Sequence, residues 1–299
     1  MAVVGPTASG KTAFAVSVAE LIRAELVSAD SRQVYRDCRI GTNKPSPAEL
    51  RGIRCHLLDV VEPETPFTVA DYCVLARAAI EEIAGRGRPA VLQGGTGLYS
   101  RALLQGWDFA NSPPDVELRE RLERRLAQEG VEALTTELAR FDPEAAMRAQ
   151  GNPRRLVRAL EIHAVSGQPP SRVRGAKPPP WQTLILGLSP PLTELDRRIA
   201  LRVDGMLEAG WLEEVAGLIA RHPGADLRRL GHGYPELAAV IDGRLTLEEA
   251  RSRTVRQVRQ YARRQLTWFR AEPGVHWIEP RIEAAEPLLR RAMMIEEAI

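Results

Sequence analysis

The stretch "MAVVGPTASGKT" (residues 1–12) carries the spacing Gly5-x-x-x-x-Gly10-Lys11-Thr12. Glycines at those places let backbone N–H groups turn inward onto phosphate oxygens. The lysine adds a point charge, and the closing hydroxyl can reach Mg²⁺. Ala2-Val3-Val4 is a short apolar run before the loop, and from Thr12 to Ile22 the pattern is that of a helix. A helix start adds its dipole to anion binding. Strand, loop and helix in that order predict a phosphate-binding loop formed by Gly5, Pro6, Thr7, Ala8, Ser9, Gly10, Lys11 and Thr12.

The chain beyond the loop repeats the alternation. Leu26–Ser28, His56–Val60 and Pro89–Gln93 read as short strands, and 69–84 reads as a helix between them. That order predicts an α/β fold with a P-loop NTPase-like parallel sheet. From Phe109 to Gly175 the pattern is helical only and dense in Arg and Glu. A stiff, basic, Pro-rich return, "SGQPPSRVRGAKPPPW" (166–181), leads into one more buried strand, "WQTLILGLS" (181–189), with amphipathic helices after it. The expected organisation is a core of 1–108 with 181–299, interrupted by a mostly helical insertion at 109–180.

With 299 residues and 44% hydrophobic content the chain can bury a substantial core. Cys38, Cys55 and Cys73 have neither metal-like nor disulfide-like spacing, which fits a reducing cytoplasm. No charged-then-apolar leader and no apolar run near membrane length is present, so neither secretion nor spanning is expected. Net charge is only +2, so charge matters through its distribution. "RSRTVRQVRQYARRQLTWFR" (251–270) holds seven arginines and no acid, with apolar residues at helical spacing. Solvated helices usually interleave Glu with Arg, so this face predicts a polyanion partner. "NPRRLVRALEI" (152–162) adds Arg154, Arg155 and Arg158 within about one turn.

A nucleotide-cleaving P-loop protein normally places an acid at the end of a neighbouring strand to orient Mg²⁺. Here "PAVLQ" runs into Gly94-Gly95-Thr96-Gly97 without one, and Asp59, ending "CHLLD", is the nearest substitute. "SADSRQVY" (28–35) follows the second strand, and loops at strand C-termini face the ligand crevice. Asp30, Ser31 and Gln33 are therefore aimed at whatever meets the phosphate. Asp30 suits three tasks on this reading: Mg²⁺ ligand, base, or helix cap.

"GPTASGKT" (5–12), "DSRQVY" (30–35), "IGTNKP" (40–45), "HLLDVVEP" (56–63), "GGTGLY" (94–99), "NPRRLVRALEI" (152–162) and "RQYARRQLTWFR" (259–270) occur in the order found in tRNA dimethylallyltransferases, which the chain resembles from its first residues to about Arg270. The resemblance implies that the loop holds the diphosphate of dimethylallyl diphosphate, with Thr7 near the bridging oxygen and Thr12 on the Mg²⁺ side. It implies Asp30 as the base that takes a proton from N6 of adenine at tRNA position 37. Ser31, Arg32, Gln33, Thr96, Arg154, Arg155, Arg158, Arg259, Gln260, Arg263 and Arg264 become tRNA contacts, and the insertion grips the anticodon stem-loop. An arginine before Gly233-Tyr234 is expected on the diphosphate, with Arg229 the candidate and Arg228 its neighbour. The chain departs from the family pattern at Asn43, at Asn152-Pro153 and at Pro235. A cytoplasmic monomer using Mg²⁺ is the expectation. Its competitors are an adenine-nucleotide isopentenyltransferase, a P-loop small-molecule kinase and an NTP-gated RNA-binding module.

Overall fold

In a computed structural model, which describes residues 1–107, 109, 115–173 and 176–296, the apolar run before the loop is β1 (Ala2–Val4), inside a six-stranded sheet. Along the chain follow α1 (Lys11–Leu21), β2 (Glu25–Ser28), α2 (Pro47–Leu50), β3 (Cys55–His56), α3 (Val69–Gly85), β4 (Ala90–Gly94) and α4 (Gly97–Leu104). Then come α5 (Val116–Phe141), broken at Gly130, α6 (Pro143–Ala149), α7 (Pro153–Ser166) and α8 (Pro170–Val173). The remainder is β5 (Ile185–Leu188), α9 (Leu192–Glu208), α10 (Trp211–Arg221), α11 (Leu227–Leu230), α12 (Tyr234–Ile241), α13 (Leu247–Arg270), β6 (Val275–Ile278) and α14 (Ile282–Glu296).

The strand order is β3-β2-β4-β1-β5-β6, and every pair is parallel. Val4 stands opposite Gly94 and Gly187, and Ser28 opposite Gln93. The C-terminal ends of β1, β2 and β4 therefore lie side by side, and the loops after them open at one edge of the sheet. That edge is where parallel sheets bind ligands.

Two compact units divide the chain: Met1–Leu103 with Trp181–Ile299, and Leu104–Pro180. In the first, Phe14 and Val18 of α1 and Ala285 and Leu289 of α14 pack on Val3, Leu26, Leu186 and Leu188 of the sheet. A separate cluster gathers α9 to α13 around Trp211, Ile199, Val203, Tyr234 and Leu237, and takes in Val34, Tyr35 and Cys38. Full burial of each such side chain stabilises by about 1.5–3 kcal/mol. The second unit has its own core of Leu134, Leu138, Leu156 and Leu160. There Asp142 caps α6 through Ala145 N (2.9 Å) and also accepts from Ser171 N (2.7 Å), tying α8 down.

Two strand expectations need correction. The strand expected at His56–Val60 stops at His56, because Leu57 (φ +65°) and Asp59 (φ +56°) take left-handed conformations that end extended pairing. In the other direction β6 was not foreseen. It is a four-residue edge strand whose His276 and Trp277 are exposed, so its sequence lacks the alternation that marks a half-buried strand.

Candidate active site

Leaving β1, the chain turns through Gly5 to Gly10 and enters α1 at Lys11. Gly10 sits at φ +89°, a left-handed conformation that costs a side-chain-bearing residue energy and that starts the helix here. A cavity of about 260 Å³ lies against this loop, lined by Thr7, Ala8, Gly10, Lys11 and Thr12. Gly5, Pro6 and Ser9 are buried and do not line it. From the loop after β2 the cavity receives Asp30, Arg32 and Gln33, and from the end of β4 it receives Gln93, Gly94 and Gly95. Ile199, Arg202, Val203 and Met206 of α9, Trp211 of α10, and Val258, Tyr261 and Gln265 of α13 complete much of the wall.

Two cations of this cavity, Lys11 and Arg202, are bonded to neutral oxygens. Lys11 Nζ donates to the Pro6 carbonyl oxygen at 2.6 Å, and Arg202 Nη1 donates to Thr7 Oγ1 at 3.2 Å. Neither forms an ion pair among the described residues. Burial and then the neighbouring Arg202 charge lower the Lys11 pKa to about 7, against the raising effect of Asp30. Asp30 and Glu49 line the same cavity without pairing with either cation, and two adjoining, desolvated cations that form no ion pair suit an anionic ligand.

Asp30 is held by one oxygen. Oδ1 accepts from Arg32 N at 2.9 Å, a local turn in which an Asp carboxylate bonds the backbone two residues on. Oδ2 has no donor among the described residues, so the carboxylate keeps an acceptor at the cavity. The next residue is fixed from β4: Ser31 N donates to Thr96 Oγ1 at 2.9 Å, and Thr96 N donates to Ala29 O at 3.1 Å. Gln33 is buried and spans Ser28 Oγ (3.2 Å) and the Asn43 carbonyl (3.0 Å). Asp30, Arg32 and Gln33 thus share the cavity with the phosphate loop, while Ser31 and Thr96 brace it.

No acid stands where nucleotide-cleaving relatives of this architecture place one. β4 neighbours β1, and the residue reaching the Thr12 hydroxyl is Gln93, whose Oε1 lies 3.5 Å from Thr12 Oγ1. The substitute read at Asp59 is corrected: its carboxylate pairs with the buried Lys44 ammonium and does not line the cavity.

Arg229 is not brought to the loop. Its Nη1 donates to the Glu64 carbonyl at 3.3 Å, and neither it nor Arg228 lines the cavity. The arginine on the phosphate loop is Arg202, which sequence reasoning missed. Its signal was a guanidinium inside the apolar stripe Leu195, Ile199, Val203, Met206 of α9. Gln265 is a second omission. This buried residue of α13 accepts from Thr7 N at 2.8 Å and donates to Gly95 O at 2.7 Å, bracing two loops at once. It too sits in an apolar stripe, with Ala262, Leu266 and Phe269.

The arginines of α13 are less free than their spacing implied. Arg251 pairs with Asp204 (2.5 Å), Arg263 with Asp196 (2.8 Å), and Arg259 Nη2 donates to the Asp196 carbonyl (3.2 Å). Both acids belong to α9, and Glu248 in the first turn of α13 adds a 3.5 Å contact to Arg251, so the compensation absent from 251–270 comes from outside that stretch. Arg264 lies over the Tyr261 ring at 5.9 Å, and Arg256, Arg264 and Arg270 make no ion pair among the described residues. Gln260 is exposed. In the second unit Arg154 and Arg155 are exposed at the start of α7, whereas Arg158 bonds the fully buried Glu161 at 2.7 Å.

For Mg²⁺ the cavity offers Thr12 Oγ1, Gln93 Oε1 and the Asp30 carboxylate, all hard oxygen donors. Among the described residues no group of three or more His, Cys, Asp or Glu could hold a metal by itself. That donor set fits a cation bound mainly through a substrate's phosphate oxygens.

A glycine-rich loop at the edge of a parallel sheet, sharing a cavity with the Asp30 carboxylate, defines a P-loop NTPase-like fold. The family model described as IPP transferase matches residues 33–272, and the chain belongs to that family. It is 45% identical over 277 residues to the tRNA dimethylallyltransferase of Roseiflexus sp. (strain RS-1), covering 92% of this chain and 91% of the relative. It is 47% identical over 294 residues to the tRNA dimethylallyltransferase of Anaeromyxobacter dehalogenans (strain 2CP-C), covering 97% of each. Among solved structures it is similar to the full-length tRNA isopentenylpyrophosphate transferase from Bacillus halodurans, with TM-score 0.71, 37% identity, and coverage of 99% and 95%. It also resembles a eukaryotic dimethylallyltransferase acting on tRNA, with TM-score 0.81, 25% identity, and coverage of 93% and 73%.

Proposed function

We propose that this chain transfers a dimethylallyl group from dimethylallyl diphosphate to N6 of the adenine at tRNA position 37, releasing diphosphate. The observation that carries this reading is that Lys11 and Arg202, which form no ion pair among the described residues, share one cavity with the Asp30 carboxylate. The cations receive the diphosphate. Thr7 stands near the bridging oxygen, and the backbone of the loop closes around the remaining oxygens. As the bond between C1 of the allyl group and that oxygen breaks, its electron pair leaves with the diphosphate, where Lys11 and Arg202 offset the growing charge.

The exocyclic amine of adenine is a weak nucleophile, since its lone pair is delocalised into the ring. Asp30 Oδ2 accepts an N6 proton as the N6–C1 bond forms and later returns it to solvent. Thr12, with Gln93 and Asp30 as further oxygen donors, would hold a Mg²⁺ that arrives with the diphosphate, and the ion would offset phosphate charge. To enter this cavity the base leaves its stack. Arg32, Gln33 and Tyr261 are the groups positioned to receive it, with Ser31 and Thr96 fixing the loop. The unit Leu104–Pro180 grips the anticodon stem-loop, with the exposed Arg154 and Arg155 among its contacts. The exposed arginines of α13 meet tRNA phosphates. Among the described residues no helix is long and apolar enough to cross a membrane; a cytoplasmic monomer completes the reading.

The test is mass spectrometry of tRNA incubated with the protein, Mg²⁺ and dimethylallyl diphosphate. A gain of one five-carbon unit on adenosine is expected, and unmodified tRNA under these conditions would reject the reading.

A further inference from the structure

Glu214, in the first turn of α10, spends its carboxylate on a loop rather than on a cation. Oε2 accepts from Arg39 N (2.7 Å) and Ile40 N (2.6 Å), while Oε1 accepts from Gly41 N (3.1 Å) and the Tyr234 hydroxyl (2.9 Å). The three backbone N–H groups have no other acceptor among the described residues. From its far side the same loop is held by Gln33, which donates to the Thr42 (3.3 Å) and Asn43 (3.0 Å) carbonyls. Between these two clamps, Gly41, Thr42 and Asn43 form part of the cavity wall.

The wall is tightly fitted at Gly41. A Cβ there would lie 2.1 Å from Trp211 Nε1, so the backbone rests directly on the indole. Trp211 also lines the cavity, is only 2% exposed, and its indole N–H has no partner among the described residues. Beside it stand Met206, Val203 and Ile199, one helical face that continues at Arg202 toward the phosphate loop. Cations at one end and an apolar lining at the other suit a donor with an anionic head and a short hydrocarbon tail.

We propose that Glu214 is a positioning residue for that tail: by gathering the N–H groups of Arg39 to Gly41 it presses the loop onto Trp211 and shapes the apolar end of the cavity. This rests on the function proposed above. A glutamine at 214 has one acceptor and two donors where four donors converge, so the loop would withdraw from Trp211 although side-chain size is kept. The diphosphate end, built from Lys11, Thr12 and Arg202, would be untouched.

The experiment compares calorimetric binding of dimethylallyl diphosphate and of inorganic diphosphate, each with Mg²⁺, to wild type, Glu214→Gln and Gly41→Ala. Loss of hydrogen bonds to a charged acceptor predicts that Glu214→Gln weakens dimethylallyl diphosphate by about ten- to a hundredfold, with inorganic diphosphate unchanged. Gly41→Ala, which leaves every donor and acceptor in place, should show the same selective loss and decides the matter if Glu214→Gln does not fold. Affinity for tRNA should not change in either. Equal losses for both diphosphates, no loss in either variant, a loss confined to tRNA, or a wild type with no preference for the prenylated ligand would each overturn the proposal. Transfer to tRNA is measured separately. Its absence from a wild type that binds the prenylated ligand selectively would reject the transferase reading and leave the role of Glu214 standing.

Discussion

Asp30 has one oxygen committed to its own turn and one left for chemistry, and this division makes its substitution informative. Asp30→Asn keeps the shape and retains an oxygen for Arg32 N, but the amide cannot accept a proton. Single-turnover prenyl transfer should fall by about 10²–10⁴-fold while tRNA affinity and melting temperature hold. Near-wild-type transfer would remove the base assignment, and recovery at raised Mg²⁺ would move Asp30 to the metal instead. Asp30 was legible in sequence because it follows a strand end beside the phosphate loop, and short-range order places it at the crevice. Arg202 and Gln265 were not legible. Their contacts to Thr7 span 195 and 258 residues, and a polar residue inside an apolar helix stripe, the one local signal, says that the side chain is buried but not what it meets.

At the scale of elements, α13 serves two purposes on opposite faces. Its inner face carries Gln265 to the phosphate loop and packs Ala262, Leu266 and Phe269, while its outer face carries the arginines. Asp196 and Asp204 of α9 engage three of the seven, so the free charge lies with Arg256, Arg264 and their unpaired neighbours. Neutralising Arg256 and Arg264 together should weaken tRNA binding and lower the slope of log affinity against log salt by about one unit for each phosphate no longer engaged. Filter-binding titrations across salt would read this, with dimethylallyl diphosphate affinity unmoved. A slope equal to wild type would reduce this face to a solvated surface. Neutralising Arg259 and Arg263 would mix effects, because it also releases Asp196. The helix was legible from its apolar spacing; its partner acids were not, since they belong to a helix some sixty residues away in sequence.

Over the whole molecule, the parallel sheet and the phosphate loop followed from the strand–loop–helix pattern, whereas the end of β3 and the presence of β6 depended on backbone turns and edge pairing that composition does not encode. Within the first unit, one ionic junction ties the end of α10 to the loops that follow β2 and β3. His222, at the C-terminal end of α10, bonds Glu64 through Nδ1 (2.9 Å) and Asp37 through Nε2 (3.2 Å), with Arg221 also on Asp37 and Arg229 on the Glu64 carbonyl. Burial opposes the charge on the ring, but the Asp37 and Glu64 carboxylates outweigh it and raise the pKa above the ordinary imidazole value. A raised folded-state pKa gives stability that is full below the unfolded value and is lost as pH rises through the folded one. Wild type should therefore exceed His222→Gln in melting temperature by more at about pH 5.5 than at about pH 9, on either side of the ordinary imidazole range. A pH-independent gap would show that folding does not shift the ring's pKa, and a gap that widens toward about pH 9 would show that the ring is held neutral.

The central claim is that the phosphate loop holds a leaving group and not a nucleotide; it rests on Gln93 beside Thr12 and on Lys11 and Arg202, which form no ion pair among the described residues. The most direct measurement follows diphosphate release and adenosine prenylation together, in a reaction with tRNA, Mg²⁺ and dimethylallyl diphosphate and no nucleotide triphosphate. The account predicts that the two products appear in equal amounts and at the same rate, and that added ATP changes neither. A requirement for ATP, or release of orthophosphate in step with turnover, would contradict it.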